Sequence, residues 1–153
     1  LPWLARGRGD PVVIDTLNSA NNPDLRMFQR RGGKLILVHG WDDQSVMPLP
    51  TLDYHDTMTR TMGGPEATRS FARLFMIPGM DHCAGGKGAY AINYMKAIED
   101  WVERGRAPDA LLGHAHHARH IQVNNHGSAL QVDALGHRIG GKQYQPPGRR
   151  LRG

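Results

Sequence analysis

Two short segments hold the residues best suited to chemistry. His39-Gly40-Trp41-Asp42-Asp43 offers carboxylates, and Pro78-Gly79-Met80-Asp81-His82-Cys83 offers an imidazole and a thiol. A carboxylate beside a histidine fixes the ring's tautomer and stabilises the imidazolium formed when the ring takes up a proton. Acid before histidine is an order found in hydrolytic sites where a nucleophilic serine precedes both. The plainer alternative is local. An aspartate just after a strand often closes an Asx turn or caps a helix, and a histidine in a glycine-rich loop is often only exposed. Either loop alone favours the plain alternative. Together, in this order, they favour the chemical one.

Both loops follow apolar runs that read as strands. Lys34–His39 (KLILVH) is bounded by Gly32-Gly33 and Gly40, and Arg73–Ile77 (RLFMI) stops at Pro78-Gly79. Continuous rather than alternating apolar residues predict strands covered on both faces, as in parallel sheets. Functional groups in such sheets gather on the loops beyond the strands' carboxyl ends. A helix from Thr51 to about Met62 follows the first loop, with Thr51 as cap and Leu52, His55, Met58 and Met62 on one face. The clearest helix follows the second loop. Ala91, Tyr94, Met95, Ile98, Trp101 and Val102 recur at helical spacing, and Gly105 ends the run. Pro11–Ile14 reads as a short strand and Asp24–Arg31 as a short helix. The order strand, loop, helix, strand, loop, helix predicts α/β architecture with a parallel sheet. Two strands make an incomplete sheet, so further strands are expected outside this chain.

The same residues carry a more specific resemblance. GGKLILVHGWDDQSVMP resembles the acid loop of the tannase and feruloyl esterase family, which reads HGW-x-D. RLFMIPGMDHC resembles that family's histidine loop, in which His is followed directly by Cys, and AIEDWVERGRAPD resembles the helix and turn beyond it. The resemblance spans roughly residues 23–112. It implies an α/β hydrolase that cleaves carboxylic esters, with aromatic-acid esters as small-molecule substrates and no cofactor. It implies Asp43 as the acid, with Asp42 as fallback, and His82 as the base. It implies that Cys83 is bridged to a cysteine beside the nucleophilic serine, outside this chain, and so a secreted or periplasmic enzyme. Ser19, Ser45, Ser70 and Ser128 are the only serines, and none lies in G-x-S-x-G or follows a cysteine. The nucleophile and the lid that shapes the substrate pocket are therefore expected in a missing N-terminal part. A start at Leu1 rather than Met agrees and leaves room for a lost leader.

Charge divides the chain differently. The net charge of +5 comes entirely from residues 114–153, which hold six Arg/Lys against the single acid Asp133, with six of the nine histidines. Residues 1–112 read as the C-terminal part of a catalytic domain, and residues 113–153 as a basic, His-rich, poorly ordered tail. With Tyr144 as its one aromatic residue, the tail lacks the interleaved pattern of a nucleic-acid-binding face. His114, His116, His117 and His120 have spacings that could hold a transition metal, but no carboxylate or cysteine joins them. Gly85-Gly86-Lys87-Gly88 fails as a phosphate loop, because Asp81 and Gly88 stand where Gly and Ser/Thr are required. No apolar run is long enough for a membrane-spanning helix. A non-catalytic basic or metal-binding module built on the tail is the competing function. Deleting residues 113–153 is expected to spare an esterase and abolish such a module.

Overall fold

The computed structural model describes residues 20–115, 119–124, 129–132 and 138–140. In chain order the elements are α1 (Arg26–Arg30), β1 (Leu35–Gly40), α2 (Leu49–Thr61), α3 (Pro65–Arg69), β2 (Ala72–Ile77), β3 (Ala91–Ile92), α4 (Tyr94–Arg104), β4 (Ala110–Ala115), β5 (Arg119–Asn124), β6 (Ala129–Val132) and β7 (Arg138–Gly140). The segment expected as a strand at Pro11–Ile14 lies outside the described residues.

β1 and β2 pair in parallel, in register from Leu35 opposite Ala72 to Gly40 opposite Ile77. Their unbroken apolar character follows from what covers them. On one side Phe75 and Ile77 pack with Met80, Ala89, Leu111 and Val123, and Ile36 and Val38 lean on that cluster. On the other side Ala72 packs with Phe71, Met58 and Met62, joined by Leu35 and Leu37. Odd and even residues of β1 thus serve opposite cores, as the two-residue period of a strand requires. All six residues of β2 are buried, whereas β1 is half-buried up to Gly40.

Helix α2 begins at Leu49 with proline in its first turn, and Pro48, not Thr51, occupies the cap position. The Thr51 hydroxyl is engaged elsewhere, by His39. Ala91 does not open the second helix. Ala91 and Ile92 form β3, and α4 starts at Tyr94 behind Asn93, whose side chain accepts the Lys96 amide at 3.0 Å. On α4 only Trp101 is fully buried, and Met95, one of the apolar residues at helical spacing, is exposed. Trp101 lies under the Arg73 guanidinium at 4.9 Å.

The largest difference from the sequence expectation lies beyond Leu112. The described residues there form a second, antiparallel sheet ordered β3-β4-β5-β6-β7. β4 alternates between buried Leu111 and Gly113 and exposed Leu112 and His114. Leu111 and Val123 close the main core against Phe75. A boundary at residue 112 cuts through β4, so deleting residues 113–153 would also remove Val123 from the core. That deletion does not separate an esterase from a tail-driven module. Among the described residues no group of His, Cys, Asp and Glu is placed to hold a metal, and no helix is long and apolar enough to cross a membrane. His116 and His117 lie outside the described residues.

Candidate active site

The parallel pairing of β1 and β2 brings both chemical loops to one edge of the sheet. Pairing continues past the strand ends. The Trp41 amide donates to the Ile77 carbonyl at 2.9 Å, and the Asp42 amide donates to the Met80 carbonyl at 3.1 Å. Such close approach demands glycine at position 40, where a Cβ would overlap the Met80 carbonyl oxygen. The histidine loop closes on itself through the Gly88 amide, which donates to the Gly79 carbonyl at 2.7 Å. A Cβ on Gly88 would overlap the Pro78 carbonyl oxygen. The glycines that resemble a phosphate loop in the sequence therefore serve to fold this loop tightly.

Asp43 and His82 meet where the loops converge. His82 Nδ1 lies 2.9 Å from Asp43 Oδ2. The other carboxylate oxygen, Oδ1, accepts the backbone amides of Ser45 at 2.9 Å and Val46 at 2.8 Å. The Val46 amide holds the carboxyl at about 2, below its ordinary 3.8, with the His82 and Ser45 bonds assisting and burial opposing. An ionised carboxylate only accepts, so the proton of a neutral His82 sits on Nδ1 and Nε2 carries a free lone pair. The Asp43 side chain is 5% exposed and the His82 ring 50% exposed. The acid is thus fixed and buried, and the imidazole is reachable. No described residue hydrogen-bonds His82 Nε2.

The Asx turn of the plain alternative is present, over Ser45 and Val46, and it leaves the second carboxylate oxygen of Asp43 facing His82. Asp42, the fallback acid, is exposed, and only its backbone amide joins the other loop. Cys83 is exposed and unbridged within the chain, and its φ of 61° is in the left-handed region. Of the described serines, Ser70 Oγ donates to the Ala67 carbonyl, beside the amino end of β2 and so at the opposite edge from His82. Ser45 lies in the acid loop itself. Ser19 and Ser128 lie outside the described residues.

Sequence reasoning missed His39. Its ring is 10% exposed, with Nε2 3.0 Å from the Val46 carbonyl and 3.4 Å from Asp43 Oδ2, and Nδ1 2.7 Å from Thr51 Oγ1. The available signal was its place at the end of a strand, four residues before the acid.

Residues 9–132 match the family described as tannase and feruloyl esterase. The chain belongs to that family. It is 43% identical over 109 residues to a mono(2-hydroxyethyl) terephthalate hydrolase of Piscinibacter sakaiensis, covering 71% of this chain and 17% of that one. It is 37% identical over 119 residues to a probable feruloyl esterase B-2 of Neosartorya fischeri, covering 68% and 22% respectively. Among solved structures it resembles feruloyl esterase B from Aspergillus oryzae with a TM-score of 0.64 and 29% identity, over 70% of this chain and 25% of that one. The chain therefore spans less than a quarter of the length of these two curated relatives.

Proposed function

We propose that this chain is the acid-and-base part of a serine carboxylic ester hydrolase acting on aromatic-acid esters. The observation that carries the proposal is the 2.9 Å contact between His82 Nδ1 and an Asp43 carboxylate held ionised. In this scheme His82 Nε2 takes the proton from a serine hydroxyl as its oxygen attacks the ester carbonyl. Asp43 holds the ring's tautomer and orientation and stabilises the imidazolium. The imidazolium then protonates the departing alcohol, leaving an acyl-enzyme. The same nitrogen next activates a water, which releases the acid and restores the serine. The substrate class rests on the relatives, which are named for feruloyl esters and a terephthalate monoester.

The serine lies, in this proposal, in sequence outside these 153 residues. The sheet also extends beyond β1, which is only half-buried for a strand of a parallel sheet. Cys83 would bridge to a cysteine beside that serine, and its exposed thiol next to His82 is compatible with such a partner. A persistent disulfide would place the enzyme in an oxidising compartment, secreted or periplasmic.

The test uses a serine-directed fluorophosphonate on the whole enzyme, followed by peptide mapping. Labelling is expected at one serine outside this chain, dependent on His82, with the 153-residue chain alone unlabelled and inactive on an aryl ester. Labelling at Ser19, Ser45, Ser70 or Ser128 would overturn the assignment of the nucleophile. A Cys83 thiol that alkylates freely in the unreduced whole enzyme would remove the bridge and the case for export.

A further inference from the structure

The ring of His39, mostly shielded, sits behind Asp43 and contacts Asp43, Val46 and Thr51. A carbonyl oxygen only accepts, so the 3.0 Å contact with Val46 places a proton on His39 Nε2. In the neutral ring Nδ1 is then free to accept from the Thr51 hydroxyl at 2.7 Å, which ties the ring to the first turn of α2. Val46 is held at both ends of its own backbone. Its carbonyl takes the His39 proton, and its amide donates to Asp43 Oδ1 at 2.8 Å. The same ring edge lies 3.4 Å from Asp43 Oδ2, the oxygen that faces His82. A rigid strand residue is thereby linked, through one loop residue, to the carboxylate.

We infer that His39 is a positioning residue for the hydrolytic site, clamping Val46 so that Asp43 presents Oδ2 to His82. The inference rests on the esterase proposal above. His39 touches neither substrate nor reacting atoms in it. Its contribution is the aim of the carboxylate, and displacement of a positioning group by about 1 Å can cost on the order of 10²-fold in rate.

The experiment compares His39→Gln, His39→Asn and His39→Leu in the whole enzyme, each alone and with Asp43→Asn, on an aryl ester, with thermal melting of every variant. A glutamine amide reaches roughly where Nε2 stands and can donate to Val46, whereas an asparagine amide reaches only the Nδ1 position beside Thr51. His39→Leu and His39→Asn are expected to lower kcat by about 10²-fold with little change in KM, and His39→Gln to recover most of it. If His39 acts through Asp43, His39→Leu costs little more once Asp43→Asn is present. Equal losses in all three variants, or a His39→Leu penalty that multiplies in full onto Asp43→Asn, would sink the inference while leaving the esterase proposal standing. Unimpaired turnover in Asp43→Asn alone would instead remove the proposal, and this inference with it.

Discussion

The two loops that build the site are made in opposite ways. The acid loop fixes a buried side chain through several contacts. Asp43 accepts two amides of its own loop, faces His82, and backs onto His39. The histidine loop fixes its own backbone through glycines and leaves its side chain exposed, with one contact to Asp43. The contrast matches the division of labour in proton transfer. An orienting group must not move or change charge, and it gains from a preorganised set of donors. A group that carries a proton must reach the nucleophile and later a water, so one of its nitrogens must stay open. Removal of a group from either side should therefore have consequences of different size.

Loss of His82, the proposed proton carrier, should be the most severe. In the whole enzyme, His82→Ala is expected to lower kcat on the order of 10⁶-fold, since base and nucleophile act as a unit. Asp43→Asn leaves a ring that can still reach the serine but in the wrong tautomer, at about 10⁴-fold, the loss established for the triad aspartate of serine proteases. Asp42→Asn should change kcat only a few-fold, because the side chain faces solvent. Steady-state kinetics on an aryl ester ranks the three. Asp42→Asn as damaging as Asp43→Asn would break the contrast, since the buried, amide-held carboxylate would no longer be the special one.

The next effect tests the contact between the loops rather than their side chains. Gly40→Ala puts a methyl group against the Met80 carbonyl and should push the loops apart. Overpacking of this kind costs about 1–3 kcal/mol, because backbone rather than a flexible side chain must yield. A lower melting temperature together with a kcat loss on the order of 10²-fold is expected. Normal turnover at a lowered melting temperature would mean that the loops hold their groups independently.

What the sequence disclosed depended on whether the signal was local. The strands of the parallel pair were legible because cover on both faces leaves an unbroken apolar run, and the α/β class follows from the helices between and after them. That Asp43 and His82 would come together was legible because each sits just past a strand, and parallel pairing sends both loops the same way. The antiparallel sheet was not legible. In β4 the inward positions are Leu111 and Gly113, while the apolar Leu112 points out, so alternation is hidden at each step. Gly113 faces in because Ile92 and Ala89 occupy the space its side chain would need, a tertiary fact that no local pattern carries. His39 was missed for the same reason. Its partners at positions 43, 46 and 51 come together only when the loop folds back over the strand end.

The smallest expected effect is on acid stability, and it distinguishes a carboxylate held by amides from one held mainly by His82. The Asp43 carboxyl stands at about 2 instead of its ordinary 3.8, and the leading cause is the Val46 amide. A depressed value means that the folded state favours the ionised form. The resulting stabilisation is complete above the ordinary value of 3.8 and is lost as pH falls through the folded value of about 2. The melting-temperature gap between the unsubstituted protein and Asp43→Asn should therefore change less between about pH 7 and pH 5 than below about pH 4, where it narrows. Were His82 the main stabiliser, the benefit would depend on the charge of the ring, and the gap would change across the range in which histidines titrate, near pH 6.5. A gap that moves more between pH 7 and pH 6 than below pH 4 would thus place the main hold on Asp43 in the exposed loop rather than in its own.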